Sequence, residues 1–264
     1  MNQIAVANLM MNLKMNNSKT VDESMVRHMI LNSIRMYRKE HHSEYGEVVL
    51  TWDSKHSWRR DYFPEYKASR RKGREESSLN WDDIFGTLNK IRNEIKESFP
   101  YKYLEVFGAE ADDIIGYLCE ENRDEKILII SGDKDFIQLQ KYTNVTQWSP
   151  ITKKQVNGFD PTIYLKEHIL KGDTSDGVPN VLSPDNTFTD GLRQRPLTRK
   201  KIQSWLVGGG SDWNDEVKRN FQRNLTLIDL TKTPEELKNQ IRLEYNNASH
   251  GDRSKLLNYF MIYK

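Results

Sequence analysis

The sequence has few of the features that mark secreted, membrane-spanning or strongly charged proteins. Its 264 residues include one cysteine, Cys119, so no disulfide can form within the chain. No uninterrupted apolar run approaches the roughly 18 residues that a membrane-spanning helix needs. Lysine and arginine number 40 against 38 aspartate and glutamate, and the formal charge of +2 does not identify a nucleic-acid binder. These absences indicate a soluble protein of the cytoplasm, with Cys119 packed in the core.

The residues that are present predict an α/β fold. Six Trp, twelve Tyr and nine Phe provide material for a core. The spacing of apolar side chains predicts helices over 4–13, 23–38 and 81–98. Short β-branched runs predict two buried parallel strands, one ending at Asp53 and one ending just before Gly132. A further strand over 102–106 is expected to lead into a helix from about Glu110. This alternation is typical of a mostly parallel sheet flanked by helices.

Acidic side chains follow the predicted strand ends. The ligand crevice of an open parallel sheet lies beyond the carboxyl ends of its strands, and carboxylates crowded there repel one another, so a cation is expected among them. Oxygen donors without His or Cys select hard cations such as Mg²⁺ or Mn²⁺, and two such ions about 3.5 to 4 Å apart hydrolyse phosphodiesters. For one acidic loop alone, a helix cap or solvated turn is the commoner explanation. The six carboxylates are those of Asp53, Glu110, Asp112, Asp113, Asp133 and Asp135.

A basic and aromatic segment follows Asp53. Residues 55–74 carry eight basic and two acidic side chains, a local charge of +6. A solvated helix face is the commoner structure for such a charge run. The interleaved aromatic residues Trp58, Tyr62, Phe63 and Tyr66, together with the position directly after Asp53, favour a contact with nucleic acid instead.

Four segments resemble those of the flap endonuclease-like 5′-nucleases. GAEADDIIG (108–116), SGDKDF (131–136) and GDTSDGVPN (172–180) follow in that family's order, and WRRDYFPEYKASR (58–70) is similar to its arch motif. The similarity is greatest to members from T-even phages and extends over nearly the whole chain. It implies a PIN-like fold, with an α/β nuclease core over 1–158 that includes a helical arch over 55–80. A helical region over 159–264 would carry a helix-three-turn-helix element that binds DNA.

The resemblance also implies an activity and a set of metal ligands. The activity is 5′ to 3′ exonuclease and flap endonuclease cleavage of DNA and RNA/DNA duplexes, which removes RNA primers in replication. Two Mg²⁺ ions are expected, with Mn²⁺ able to substitute. The first ion would be held by Asp53, Glu110, Asp112 or Asp113, and Asp133, and the second, mainly through water, by Asp135, Asp173 and Asp176.

The resemblance assigns the basic residues to substrate binding. Lys67 and Arg70, three apart and so expected on one helix face, would stabilise charge on the scissile phosphate, and Arg59 would order them or contact the DNA backbone. A K⁺ site at the helix-three-turn-helix is in doubt, because the usual Gly-x-Gly-x-Lys half is replaced by residues 181–201. Further nucleic-acid contacts are expected from Arg60, Tyr66, Arg71, Lys72, Gly172, Gly177, Arg193, Arg195, Arg199 and Lys200.

The expected partners are branched or nicked duplex DNA and RNA/DNA hybrids, together with replication proteins such as a single-strand-binding protein and a sliding clamp. No membrane partner is expected, and the compartment is the host cytoplasm if a phage encodes the chain. A PIN-like RNA-processing nuclease is a second hypothesis, but it would lack the long arch over 55–76 and the element over 172–201.

In this family the first motif is a buried strand that ends in a metal-binding Asp, and a segment like Asn2–Ala5 follows it. This sequence has that segment but no counterpart of the strand and its Asp ahead of it. We therefore expect an amino-terminally shortened form with impaired catalysis. The alternatives are that water or Glu110 fills the place of the missing ligand, or that the chain is a non-catalytic, structure-specific DNA-binding protein.

Overall fold

The computed structural model describes residues 1–15, 20–249 and 251–263. Two helices that pack against each other begin the chain, α1 (Asn2–Met15) and α2 (Glu23–Tyr45). Asp22 caps α2 by accepting a hydrogen bond from the Met25 amide at 3.0 Å. The helix runs seven residues past the predicted end at 38 and stops at Gly46, whose φ of 76° suits glycine.

The first sheet has two parallel strands, β1 (Val49–Thr51) and β2 (Lys102–Leu104). Three helices connect them: α3 (Trp58–Tyr62), α4 (Ser69–Glu75) and α5 (Trp81–Ser98). The short helices α3 and α4 occupy the region expected to form the arch. The longer α5 has the predicted bounds, because the Asn80 side chain caps its first turn.

The second sheet follows helix α6 (Ala111–Glu121) and contains β3 (Ile127–Ile130), β4 (Val145–Ser149) and β5 (Lys154–Gln155). Strands β3 and β4 are parallel, and β5 pairs with β4 in the antiparallel direction. A 3₁₀ segment, Lys134–Lys141, connects β3 to β4.

The predicted α/β class is confirmed, but the expected single central sheet is divided into two. Within the described residues, no strand pairs with both β1 and β3. A cavity of about 610 Å³ is lined by strands β1 and β3 and continues to the acidic residues beyond the carboxyl ends of these strands. The main-chain amine of Met1 lies at this seam and donates to the Thr51 carbonyl at 2.8 Å. The two sheets are therefore joined by helices and side chains rather than by backbone ladders.

The described part of the chain after β5 is mainly helical. It comprises α7 (Pro161–Lys171), α8 (Arg199–Gly208), α9 (Asp215–Ile228), α10 (Glu235–Asn247) and α11 (Ser254–Ile262). None of the described helices is both long enough and apolar enough to cross a membrane. Cys119 is buried in the core, as predicted, and burial raises the pKa of its thiol to about 12.

Candidate active site

Acidic side chains from both sheets line the same cavity. Asp53 follows β1, Asp112 lies in the first turn of α6, and Asp133 and Asp135 follow β3. Burial raises the pKa of Asp112 well above its ordinary value, and the nearby charges of Asp53, Asp133 and Asp135 raise it further. Asp53 is held in place by accepting a hydrogen bond from the Ala111 amide at 2.8 Å. The structure thus brings these four residues to one cavity.

Asp113 does not belong to this group, so its expected role as a metal ligand is wrong. Its carboxylate is fully buried and accepts hydrogen bonds from Trp58 Nε1 at 3.2 Å and Thr233 Oγ1 at 2.8 Å. It also accepts the Glu110 amide at 2.9 Å as part of the α6 capping box. Burial raises the pKa of Asp113, but Arg59, the Glu110 amide and Thr233 together lower it more, so the carboxylate is charged and already paired. Of Asp112 and Asp113, it is Asp112 that lines the acidic cavity.

Arg59 is the partner of Asp113 and is itself buried, with 2% of its surface exposed. Its Nη2 atom lies 2.8 Å from Asp113 Oδ1, and its Nε donates to the Leu227 carbonyl at 2.8 Å. Nη1 lies 3.4 Å from Glu110 Oε2. A direct contact with the DNA backbone, one of its two expected roles, is wrong because the side chain has no access to solvent. Arg59 instead fixes α3 to α6 and α9.

Lys67 and Arg70 do not lie on one helix, which corrects the sequence prediction. Lys67 precedes α4 and has a left-handed backbone with φ of 57°, whereas Arg70 lies within α4. Both nevertheless reach the same carboxylate, because Lys67 Nζ lies 3.5 Å from Asp176 Oδ2 and Arg70 Nη2 lies 2.5 Å from Asp176 Oδ1. Lys67 Nζ also donates to Glu110 Oε1 at 2.7 Å. Burial lowers the pKa of Lys67, but Asp176 and Glu110 raise it more, so the ammonium is charged.

Tyr66 is buried, so the expected surface contact with nucleic acid is wrong for this residue. Its hydroxyl lies 2.8 Å from Glu110 Oε2 and 2.7 Å from Asp176 Oδ2 and donates its proton to one of them. Burial raises the pKa of the phenol further, with Asp176 adding to the effect. Tyr66 therefore joins the arch segment to α6 and to the loop after α7.

Asp135 and Asp173 meet at a histidine that sequence reasoning missed. His168, in the last turn of α7, has Nδ1 3.5 Å from Asp135 Oδ1 and Nε2 3.4 Å from Asp173 Oδ2. Burial lowers the pKa of His168, but its contacts with Asp173 and Asp135 raise it more. Burial would raise the pKa of Asp173, yet His168 and Ser175 hold it below its ordinary value. The only signal in the sequence was the position of His168 one helical turn ahead of the GDTSDGVPN segment.

The glycines of the 172–180 segment serve the protein's own backbone. Gly172 has φ of 67°, and a Cβ atom there would lie 2.3 Å from the Val178 carbonyl oxygen. Asp173 and Val178 exchange backbone hydrogen bonds of 2.8 and 2.7 Å, which closes the loop. A Cβ on Gly177 would lie 3.0 Å from the Glu65 carbonyl oxygen. Gly172 thus lets the loop close on itself, and Gly177 lets the loop approach the arch segment.

Other basic residues expected to bind nucleic acid are at the surface. Arg71 pairs with Glu75 at 2.9 Å, and Arg195 pairs with Glu216 at 3.1 Å. These pairs are solvent-exposed and therefore weak. The side chain of Lys72 lies outside the described residues. The exposed side chains are those of Arg60, Arg71, Arg193, Arg195, Arg199 and Lys200.

The sequence is similar to that of known nucleases. Residues 6–168 match the family described as 5′-3′ exonuclease, N-terminal resolvase-like domain. The chain is 35% identical over 277 aligned residues to the ribonuclease H of Enterobacteria phage T4, and the alignment covers 98% of this chain and 88% of that protein.

The fold is similar to that of two solved nuclease structures from bacteriophage T5. The flap endonuclease complex with DNA and metal ions has a TM-score of 0.62 at 18% identity and covers 91% of this chain and 95% of that one. The zinc-bound 5′-exonuclease has a TM-score of 0.62 at 16% identity, with coverage of 90% and 96%. At these identities, the likeness establishes the fold.

Proposed function

The chain belongs to the 5′-3′ exonuclease family and is a metal-dependent 5′-nuclease, and we propose that it cleaves branched DNA and RNA/DNA duplexes with two divalent cations. The observation that carries this proposal is the convergence of Asp53, Asp112 and Asp133 on one cavity, although they come from different elements. Sheltered carboxylates that share one cavity and raise one another's pKa are unfavourable without a counter-charge. A cation site explains why the fold brings them together.

The donor chemistry fits hard divalent cations. Carboxylate oxygens are the ligands that Mg²⁺ and Mn²⁺ prefer. The first ion would be held by Asp53, Asp112 and Asp133. Glu110 is already bonded to Lys67 and Tyr66, so it contributes through rearrangement or through water.

The second ion would be held by Asp135, Asp173 and Asp176, which line the same cavity. When bound, such ions supply Lewis-acid stabilisation of the phosphate and a water of lowered pKa.

The protein's own cations complete the site. Lys67 is close to the acidic cavity and carries a charge that its carboxylate neighbours stabilise. When a phosphodiester enters, Lys67 can exchange its bond with Glu110 for one with a phosphate oxygen and stabilise developing negative charge. Arg70, half-exposed beside Asp176, can contact the neighbouring phosphate.

Substrate orientation would come from exposed cations outside the cavity. Arg60 and Arg71 belong to the arch segment, and Arg193, Arg195 and Arg199 to the region before and at α8. Such side chains contact phosphate without reading base sequence, so recognition depends on the shape of the branch or hybrid. Removal of RNA primers alongside a single-strand-binding protein and a sliding clamp is the replication role we propose.

The test is a cleavage assay on 5′-labelled flap and RNA/DNA substrates, with Mg²⁺, with Mn²⁺ and with EDTA. Asp133→Asn should abolish cleavage while DNA affinity is kept or increased, because an amide cannot replace the anionic ligand but no longer repels phosphate. Asp124→Asn, on the exposed turn after α6, is the matched control and should cleave normally.

Full activity of Asp133→Asn would contradict the assignment of the site. Tight binding to flap DNA by the wild-type chain without any cleavage would instead support the second candidate, a structure-specific DNA-binding protein with impaired catalysis.

A further inference from the structure

His168 is placed by the fold, not by chance contact. It lies in the last turn of α7, and its carbonyl accepts the Gly172 amide at 2.8 Å. That bond fixes the end of the helix one residue before Asp173. The ring is also in edge contact with Tyr164, with centroids 6.0 Å apart. These contacts fix the position of the imidazole relative to the Asp173 carboxylate.

Three different donors meet at this point. Single donor atoms of Asp135, His168 and Asp173 lie within 4.8 Å of one another. Their side chains are 25%, 15% and 17% exposed, so they are sheltered but not fully buried. No cysteine and no other histidine belongs to this group among the described residues.

We propose that His168 is a nitrogen ligand of the second metal position, which therefore favours Mn²⁺, Co²⁺ or Zn²⁺ over Mg²⁺. The inference rests on the proposed function, because that function defines the position. Mg²⁺ prefers oxygen ligands in a near-octahedral arrangement and gives up its waters reluctantly. Imidazole nitrogen instead suits the later first-row metals, whose affinity for a given site increases along the series from Mn²⁺.

The competing explanation is that His168 acts only as a positive partner of the two carboxylates. The two roles predict opposite changes in Co²⁺ affinity when the imidazole ring is removed. If His168 is a ligand, Co²⁺ affinity falls and Mg²⁺ affinity changes little. If it is only a counter-charge, its loss leaves Asp135 and Asp173 less neutralised, and the affinity for every divalent cation rises.

The experiment is a titration of the metal-free, DNA-free full chain with Co²⁺, followed by its visible d–d absorption, with Mg²⁺ affinity measured by competition. His168→Gln is compared with the wild type. His56→Gln is the matched control, because His56 is partly exposed and bonds to Asp61 at 2.7 Å instead. We expect His168→Gln to weaken Co²⁺ binding about tenfold or more and to change the d–d spectrum, with Mg²⁺ affinity altered by less than about threefold.

Unchanged Co²⁺ affinity and spectrum, or an equal gain for both metals, would overturn the proposal. Circular dichroism and thermal unfolding of the variant establish that it is folded. The titration needs no substrate, so its outcome is independent of the cleavage assay. If the wild-type chain cuts DNA but His168→Gln does not change metal binding, only the role of His168 as a nitrogen ligand is refuted, and the proposed function stands.

Discussion

Replacing Asp135 by Asn should stabilise the metal-free protein, and the effect should depend on pH. Burial raises the pKa of Asp135 from 3.8 to about 7, with His168 opposing and Asp133 adding to the increase. Between these two values the folded protein keeps a proton that the unfolded chain releases. The free energy of unfolding therefore falls as pH rises from about 4 to about 7 and is level above that range.

The size of the effect follows from the same change in pKa. A difference of about three pKa units, at about 1.4 kcal/mol for each, gives at most about 4 kcal/mol. The side chain is 25% exposed, and solvent screening reduces that figure. We expect Asp135→Asn to be more stable than the wild type by about 1 to 3 kcal/mol at pH 8 and to equal it near pH 4.

Urea unfolding in EDTA at both pH values measures the difference, with Asp124→Asn as the control on the exposed surface. Addition of Mg²⁺ should reverse the order at pH 8, because the wild type has the ligand that the variant lacks. A variant that is no more stable than the wild type at pH 8 in EDTA would show that the carboxylate cluster is not strained without a cation, and the reasoning would fail.

Two further changes test the arch and the loop after α7. Lys67→Ala should lower single-turnover cleavage by about 100-fold while the Kd for DNA changes by less than about threefold, as expected for a group that acts on transition-state charge; a loss confined to affinity would demote it. Gly172→Ala should lower the thermal midpoint well beyond Gly191→Ala, because both have φ near 66° but only at Gly172 would the new Cβ lie 2.3 Å from the Val178 oxygen. Equal losses in the two variants would show that backbone conformation alone, and not the close contact, sets the cost.

Local signals in the sequence were sufficient for several of the elements and for part of the acidic cavity. The bounds of α5 were predictable because its cap and its apolar spacing agree. The positions of Asp53 and Asp133 followed from the rule that ligands gather at the carboxyl ends of parallel strands. These predictions use information within a few residues of each position.

The features that were missed depend on contacts between distant segments. Neighbouring Asp112 and Asp113 look alike in sequence, and only the Thr233 hydroxyl and the Arg59 guanidinium show which one faces inward. Lys67 has a left-handed backbone, and its amide donates a hydrogen bond to the Asp176 carbonyl at 2.7 Å, more than a hundred residues away in the sequence. His168 becomes recognisable only when α7 is packed beside Asp135.

The divided sheet gives the acidic cavity a role in how the molecule holds together. Asp53 belongs to the half built on β1 and β2, and Asp133 to the half built on β3 and β4. Among the described residues no backbone ladder joins the halves, so each half can open in a local fluctuation of its own, and their amides can exchange hydrogen at different rates. If a ligand is held by carboxylates from both halves, opening either half also breaks its bonds to the ligand. The free energy of opening then includes the free energy of ligand binding. Binding of a cation between the halves would therefore make this nuclease unfold more cooperatively than its backbone hydrogen bonds alone would.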